Sequence, residues 1–324
     1  MRVAVTGATG FVGGVLVRRL IDEGHEVRCL VRGDAAELEG LDVQVLRGDV
    51  CDPDSLTGLM MGADRSFHCA AMISIDGDHG GMVERVNVDG ARNVAEAALV
   101  AGVDRHVHVS SCHAYDLMKP GTVDETADRP GPGYPSYDRS KAAGEAAVRE
   151  VVAAGLHASI VNPCGVVGPL DKRPSRIGKI LVDLANRTLP ALTPGGFTWV
   201  DVRDVVDGIL RAADSGGAGD GYLLGGEYAT LTRFAQLACD EVGVKPPWFT
   251  SPMWLARATA PAATWYAHLT KTEPLYTSEA LHAVRSPCRI SSDKAKRELG
   301  WAPRPLAETI VDSLAWFRED GQIQ

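Results

Sequence analysis

Tyr137 and Lys141 stand four residues apart, and Ser110-Ser111 precede them. A free phenol titrates at about 10 and is a poor base near neutrality. An ammonium one helical turn away would stabilise the phenolate and bring it toward the working range. Positions i and i+4 share a helix face, so the spacing predicts that both side chains enter one site. A serine hydroxyl beside the phenol would hold a substrate oxygen. The chemistry open to this set is proton transfer at an alcohol or carbonyl oxygen while a hydride moves at the carbon. A Tyr-x-x-x-Lys pair alone is common on surface helices, so its meaning rests on the elements around it.

The chain opens with a loop suited to phosphate. Val5-Thr6-Gly7-Ala8-Thr9-Gly10-Phe11-Val12-Gly13 follows an apolar run and starts a helical pattern. Gly7 permits a tight turn, Gly10 lets the backbone approach a pyrophosphate, and Gly13 lets the helix lie against a sheet. The helix start adds unpaired N–H groups and a positive dipole end. Thr9, Phe11 and Val12 belong to the same predicted contact set. The spacing is Gly-x-x-Gly-x-x-Gly, and strand, loop and helix in that order give it weight. Arg32 comes 19 residues after Gly13, at the end of the second strand pattern. An acidic residue there would take a ribose 2′-hydroxyl, whereas an arginine suits a 2′-phosphate. The sequence therefore predicts NADP, with NAD as the alternative because Asp34 follows closely. Asp49 and Val50 end the third strand pattern and would meet an adenine, although Asp49 also reads as a turn residue before Asp52-Pro53. Ala70 and Ala71 end the fourth, where ligands of such sheets bind.

Residues 3–6, 26–31, 43–47, 65–69, 106–110 and 158–162 read as strands, and 11–23, 53–61, 82–101 and 137–154 as helices. This alternation predicts an α/β chain, a doubly wound parallel sheet covered on both faces. Later, a helix is predicted over 177–186. A strand at 199–200 with a helix over 201–213 reads as one further return to the core. After 216 the pattern is mostly helical, broken at Pro246-Pro247 and Pro261. The predicted division is a dinucleotide-binding domain over 1–168, with a return segment near 198–226. A smaller, mostly helical substrate lobe takes 169–197 and 227–324.

Composition narrows the function. The 324 residues carry a formal charge of −9 and no basic block, which argues against nucleic acid as a partner. Seven scattered cysteines without a Cys-x-x-Cys pair fit reduced thiols of a cytoplasmic protein. His79, His108, His113 and His157 show no metal-ligand spacing and read as structural or exposed, so no metal is predicted. Residues 1–5 run straight into a strand, which predicts no signal peptide. No stretch predicts an integral membrane segment; 252–269 is interrupted by Arg257 and Pro261.

On these residues the chain resembles the extended short-chain dehydrogenase/reductases of the NAD-dependent epimerase/dehydratase superfamily. The resemblance is carried by residues 6–13, Gly48-Asp49-Val50, Phe67-His68-Cys69-Ala70-Ala71, Asn87-Val88-Asp89-Gly90 and Asn93. It continues through Val109-Ser110-Ser111, Tyr137 with Lys141, Asn162-Pro163, Val167-Gly168-Pro169 and Leu299-Gly300-Trp301-Ala302-Pro303. Val31-Arg32 and Val161-Asn162-Pro163 most resemble the dihydroflavonol 4-reductase-like and 3β-hydroxysteroid dehydrogenase-like branch. The resemblance implies a Rossmann fold, with Ser111 as the catalytic serine and Ser110 as its understudy. Tyr137 and Lys141 take the family's catalytic roles at the nicotinamide end, and Pro163 to Val166 would lie by the carboxamide. It also implies a homodimer formed through 82–101 and 137–154, whose alanine-rich faces permit close packing. The alternative is that these faces only meet the sheet.

Sugar-nucleotide epimerases of the superfamily usually carry an arginine where this chain has Asn162, and another just before the strand holding Trp199. Here that second region, Thr193 to Thr198, has no cation. A diphosphate would lack its clamp. The sequence thus predicts an NADP-dependent oxidoreductase interconverting a ketone and a secondary alcohol on a small, neutral or apolar substrate. The alternatives are a sugar or sugar-nucleotide epimerase or dehydratase with tightly bound NAD(P), and a non-catalytic NADP sensor. Trp248, Trp254, Trp265, Tyr266, Leu269, Leu275 and Tyr276 would line an apolar pocket or, more simply, pack the late lobe against the core. Asp201 and Asp204 read as helix-capping residues.

Overall fold

The computed structural model describes residues 1–255, 278–284, 286 and 288–323. Short β-branched runs form the first strands: β1 (Arg2–Thr6), β2 (Glu26–Val31), β3 (Val43–Arg47), β4 (Arg65–His68), β5 (Arg105–Val109) and β7 (Ala158–Pro163). With β10 (Gly221–Leu224) they build one seven-stranded sheet in the order β3-β2-β1-β4-β5-β7-β10. Every pairing in it is parallel. The inner strands are buried almost throughout because helices cover both faces.

On one face, α1 (Phe11–Asp22) and α7 (Val202–Ser215) pack Leu16, Leu20, Val205 and Ile209 against Val3, Val5 and Phe67. On the other, α2 (Asp54–Met60), α4 (Gly90–Val100) and α5 (Ser136–Ala153) pack Leu56, Leu59, Val94, Ala98 and Val148 against Ala4 and Ile160. The alanines Ala91, Ala95, Ala98 and Ala147 are buried within the chain itself. A short helix α3 (Met82–Glu84) runs into α4 through a wide π-helical turn, Arg85–Asp89.

The late return differs from its sequence reading. Trp199 and Val200 lie in β9 (Gly196–Asp201), which joins β8 (Gly165–Val167) and β11 (Tyr228–Thr230) in a separate three-stranded sheet. Only its helix, α7, covers the main sheet. The seventh main strand is β10, whose four residues stand in a glycine-rich stretch that gives little local signal. The small sheet, α6 (Arg176–Ala185), α8 (Leu231–Val242) and α11 (Leu306–Glu319) share a further core around Leu181, Trp199, Phe234, Ile310 and Phe317. Trp199 stacks on Phe234 at 4.2 Å between ring centroids. A last pair joins β6 (Gly121–Val123) to β12 (Cys288–Ile290), between α9 (Ser278–Val284) and α10 (Asp293–Leu299).

Asp201 caps α7 by accepting from the Arg203 N–H at 2.7 Å, as expected, whereas Asp204 sits in the first turn and accepts from the Arg304 backbone and guanidinium instead of capping the helix. Trp248 and Trp254 are exposed rather than packed against the core. Trp265, Tyr266, Leu269, Leu275 and Tyr276 lie outside the described residues. Among the described residues no helix is long and apolar enough to cross a membrane, and no histidine, cysteine or carboxylate cluster could hold a metal ion.

Candidate active site

The carboxyl ends of β1, β4, β5 and β7 meet at one edge of the sheet, and the predicted residues gather there. Gly7 sits at φ +73°, and a Cβ on it would fall 2.5 Å from the Ala70 nitrogen. The first turn therefore lies directly on the Cys69-Ala70 backbone, which no side chain permits. A Cβ on Gly13 would fall 2.1 Å from the Gly7 carbonyl oxygen. Gly10 stands at the start of α1 without a side-chain cap, so the first N–H groups of that helix point outward. This cradle, which Cβ atoms would fill, could hold a pyrophosphate, with Thr9, Phe11 and Val12 beside it.

Arg32 is mostly exposed, and its guanidinium stands 3.9 Å from Asp49 Oδ2. Asp49 Oδ1 accepts from the Cys51 N–H at 2.9 Å, so its turn role is real. Val50 is buried against Gly90, and its carbonyl accepts from Asn93 Nδ2 at 3.0 Å. Ala70 and Ala71 follow β4 at the same edge. Pro163 ends β7, and Val166 pairs with Val200 in the small sheet.

Ser111 follows β5 and caps a short turn, its Oγ accepting from the His113 N–H at 3.2 Å. Tyr137 and Lys141 project from the first turns of α5. Burial pushes the Tyr137 phenol well above its usual range; its hydrogen bond with Ser111 pulls the other way without offsetting it. Ser110 Oγ is buried and has no hydrogen-bond partner among the described residues. Of the two serines, Ser111 is thus the one at the phenol.

Lys141 reaches back to the end of β5. Its Nζ donates to the Val109 carbonyl at 3.0 Å, and its charge is felt by His68, His108 and Cys69. Burial lowers the ammonium to about 8, with Glu145 and Cys69 acting in the opposite direction. Desolvation is the largest influence on both groups.

Four residues take places that the sequence reading did not give them. Asn162 Nδ2 donates to the Ser111 carbonyl at 3.0 Å and also to Glu145. Glu145 is fully buried and paired with Arg129 at 2.9 Å and Arg149 at 3.0 Å. Asn87 clamps the site from the π turn, bonding both the N–H and carbonyl of Met72 and donating to Ser140 Oγ at 2.9 Å. His113, read as structural or exposed, turns toward Tyr137 with 5.8 Å between ring centroids. Its place two residues after Ser111 was the available signal.

A separate cleft of about 440 Å³ opens at the opposite edge, by the amino ends of β1 and β4. Its arginines are already paired, Arg19 with Glu23, Arg65 with Asp214 and Arg211 with Asp207, each at 2.6 Å. The predicted site residues gather at the carboxyl edge instead.

Residues 3–225 match the model of the NAD dependent epimerase/dehydratase family. The chain belongs to that family. It is an NAD(P)-dependent oxidoreductase of the extended short-chain type. It is 36% identical to the sterol demethylase protein B of Methylococcus capsulatus over the full length of both. It is 31% identical to a putative dihydroflavonol 4-reductase of Synechocystis, over 99% of this chain and 95% of that one. The crystal structure of gox2253 superposes with a TM-score of 0.83 at 35% identity, covering 100% of this chain and 99% of the other.

Proposed function

We propose that the protein is an NADP-dependent oxidoreductase that interconverts a ketone and a secondary alcohol on a small, neutral or apolar substrate. The observation that supports this reading best is the hydrogen bond between Tyr137 and Ser111 at the edge that also carries the Gly7 and Gly13 turn. When bound, NADPH would supply the hydride. Ser111 Oγ would hold the carbonyl oxygen, and Tyr137 would give that oxygen its phenolic proton as the carbon is reduced. Hydride plus proton converts the ketone to the alcohol. In the reverse direction the Tyr137 phenolate oxygen would take the proton back from the alcohol. Lys141 would fix the nicotinamide ribose from its place on the Val109 carbonyl.

Gly7, Thr9, Gly10, Phe11, Val12 and Gly13 would carry the pyrophosphate, Asp49 and Val50 the adenine, and Ala70, Ala71, Ser110, Pro163 and Val166 the nicotinamide side. Arg32 would take the 2′-phosphate. A neutral substrate fits the side chain at position 162, an amide already committed to Ser111 and Glu145 where a phosphate clamp would need a cation. The nucleotide domain and substrate lobe would divide as the sequence predicts, with β10 as the returning strand. Seven free cysteines suit a reducing, cytoplasmic setting. With the inner alanines committed to the core, a homodimer would use the outer faces of α4 and α5, near Arg92 and Glu150; sedimentation tests it.

The deciding experiment is NADPH oxidation against aromatic ketones, steroid ketones and sugar nucleotides. Added cofactor is expected to be consumed with a ketone, and Tyr137→Phe to abolish turnover while leaving NADPH binding within about threefold. Co-purified nucleotide that is never consumed would instead establish the internal, epimerase-type cycle. Turnover surviving in Tyr137→Phe would remove the acid role altogether. Arg32→Ala is expected to weaken NADPH binding about tenfold or more, with NADH little affected; equal effects on both would refute the 2′-phosphate role.

A further inference from the structure

Beside the phenol stands a second polar pair that this proton transfer does not use. His113 Nδ1 lies 3.0 Å from Asp138 Oδ1, and Asp138 follows Tyr137 directly on α5. The His113 ring is inclined 60° to the Tyr137 ring. Its backbone N–H is tied to Ser111 Oγ. One backbone bond and one side-chain bond thus fix its position against both groups that would hold the substrate oxygen. Its side chain is 24% exposed, whereas Asp138 is 9% exposed. The imidazole borders a small cavity with Leu117, Met118, Tyr134, His282 and Ser286. The Nδ1 contact leaves Nε2 as the ring nitrogen without a hydrogen bond in the described structure.

We infer that His113, oriented by Asp138, is the specificity-determining donor of this site, selecting ketones with a second neutral oxygen one or two carbons from the reacting carbonyl. This rests on the reading of Tyr137 as the proton donor and adds the substrate class. A carbonyl oxygen at Ser111 and Tyr137 would leave such a neighbouring oxygen beside the imidazole. The neighbourhood explains why that oxygen is neutral. Asp138 already offsets the imidazole's charge, and Asp116 stands beyond Tyr134, paired with Lys119 at 3.7 Å. A free carboxylate would meet no uncompensated cation there.

Burial works against the imidazolium, but the hydrogen bond to Asp138, with Cys112 and the Asp138 charge, raises the group to about 9. Nε2 is therefore a donor at neutral pH. The groups facing it are Asp138 and Tyr137 from α5, Cys112 from its own turn, Tyr134, and His282 from α9.

The test compares matched ketones, cyclohexanone with 2-hydroxycyclohexanone and 1-tetralone with 2-hydroxy-1-tetralone, under NADPH. In the wild type, kcat/KM is expected to favour the hydroxyketone of each pair. His113→Leu should lower that preference at least tenfold, and His113→Gln, which keeps an N–H donor, should recover part of it. Asp138→Asn should weaken the preference at pH 7.5 and regain it below pH 6, where an unassisted imidazole protonates at about 6.5. Unchanged preference in folded His113→Leu, or a pH-independent loss in Asp138→Asn, overturns the inference and leaves ketone reduction standing. A wild type that consumes NADPH with no ketone of these pairs or of the wider panel overturns the underlying reading, and this inference with it.

Discussion

Asn162 does two things from one amide: it holds the Ser111 carbonyl and it satisfies buried Glu145. Replacing it with alanine would loosen the serine turn and remove one partner of a buried carboxylate, although Arg129 and Arg149 remain. Asn162→Ala is expected to lower kcat about tenfold, equivalent to ~1.4 kcal/mol, while the nucleotide Kd changes little; steady-state kinetics with a binding titration checks both. A parallel loss of nucleotide affinity would mean that the whole edge has moved. Tyr137, Lys141 and Ser111 were legible as residues because their chemistry needs those types at that spacing. What the spacing could not tell was the environment. Burial pushes the phenol up, and the Lys141 ammonium is tied to the Val109 carbonyl. Position 162 looked like a missing cation until its two hydrogen bonds showed an internal support.

The site is aimed by α5, and α5 is seated by close contact. A Cβ on Gly144 would fall 2.3 Å from the Asn87 carbonyl oxygen, so the helix lies directly on the π turn. Backbone cannot yield there as a side chain would. Gly144→Ala is expected to cost about 1–3 kcal/mol of stability, typical of overpacking, and to cut turnover by displacing Tyr137. Urea melts and initial rates measure the two effects; an alanine accommodated without loss of either would show that the seating is loose. Strands β1 to β5 were readable because apolar runs alternate with helical periods within a few tens of residues. β10 was not assigned to the main sheet, because its four residues acquire their meaning only from β7. The β6–β12 pair joins Gly121 to Cys288, a partnership that no local pattern encodes. The π turn was likewise hidden inside a plain helical period.

Across the whole molecule, three histidines lie buried on neighbouring strands, His68 on β4 and His106 and His108 on β5. His68 Nδ1 meets Thr6 Oγ1 at 2.7 Å and His106 Nδ1 meets Ser66 Oγ at 2.8 Å, while four of the six ring nitrogens lack partners among the described residues. Burial lowers all three, His106 to about 4; neighbouring His106 and Lys141 lower His68 further, and Lys141 with other cations lowers His108. The unfolded chain binds protons on these groups near pH 6.5 and the folded one does not. Their contribution is therefore present above pH 6.5 and lost as pH falls toward 4. His113 has the opposite sign: its contribution is complete below pH 6.5 and is lost as pH rises through about 9. Thermal midpoints are expected to fall from pH 6.5 to 5, with net proton uptake on unfolding. A flat midpoint over that interval would contradict the buried, neutral assignment.

The interleaved order of the two sheets also sets a schedule for synthesis. Ala158–Pro163 is buried along its whole length, yet its outer neighbour is Gly221–Leu224, made some sixty residues later. A nascent chain therefore carries a finished phosphate turn and a complete Tyr-Lys helix while one apolar edge still waits for its strand. An unpaired edge of that kind recruits other chains. Translation that stops short of Leu224 would leave a polypeptide with every residue of the nucleotide cradle and a strong tendency to aggregate.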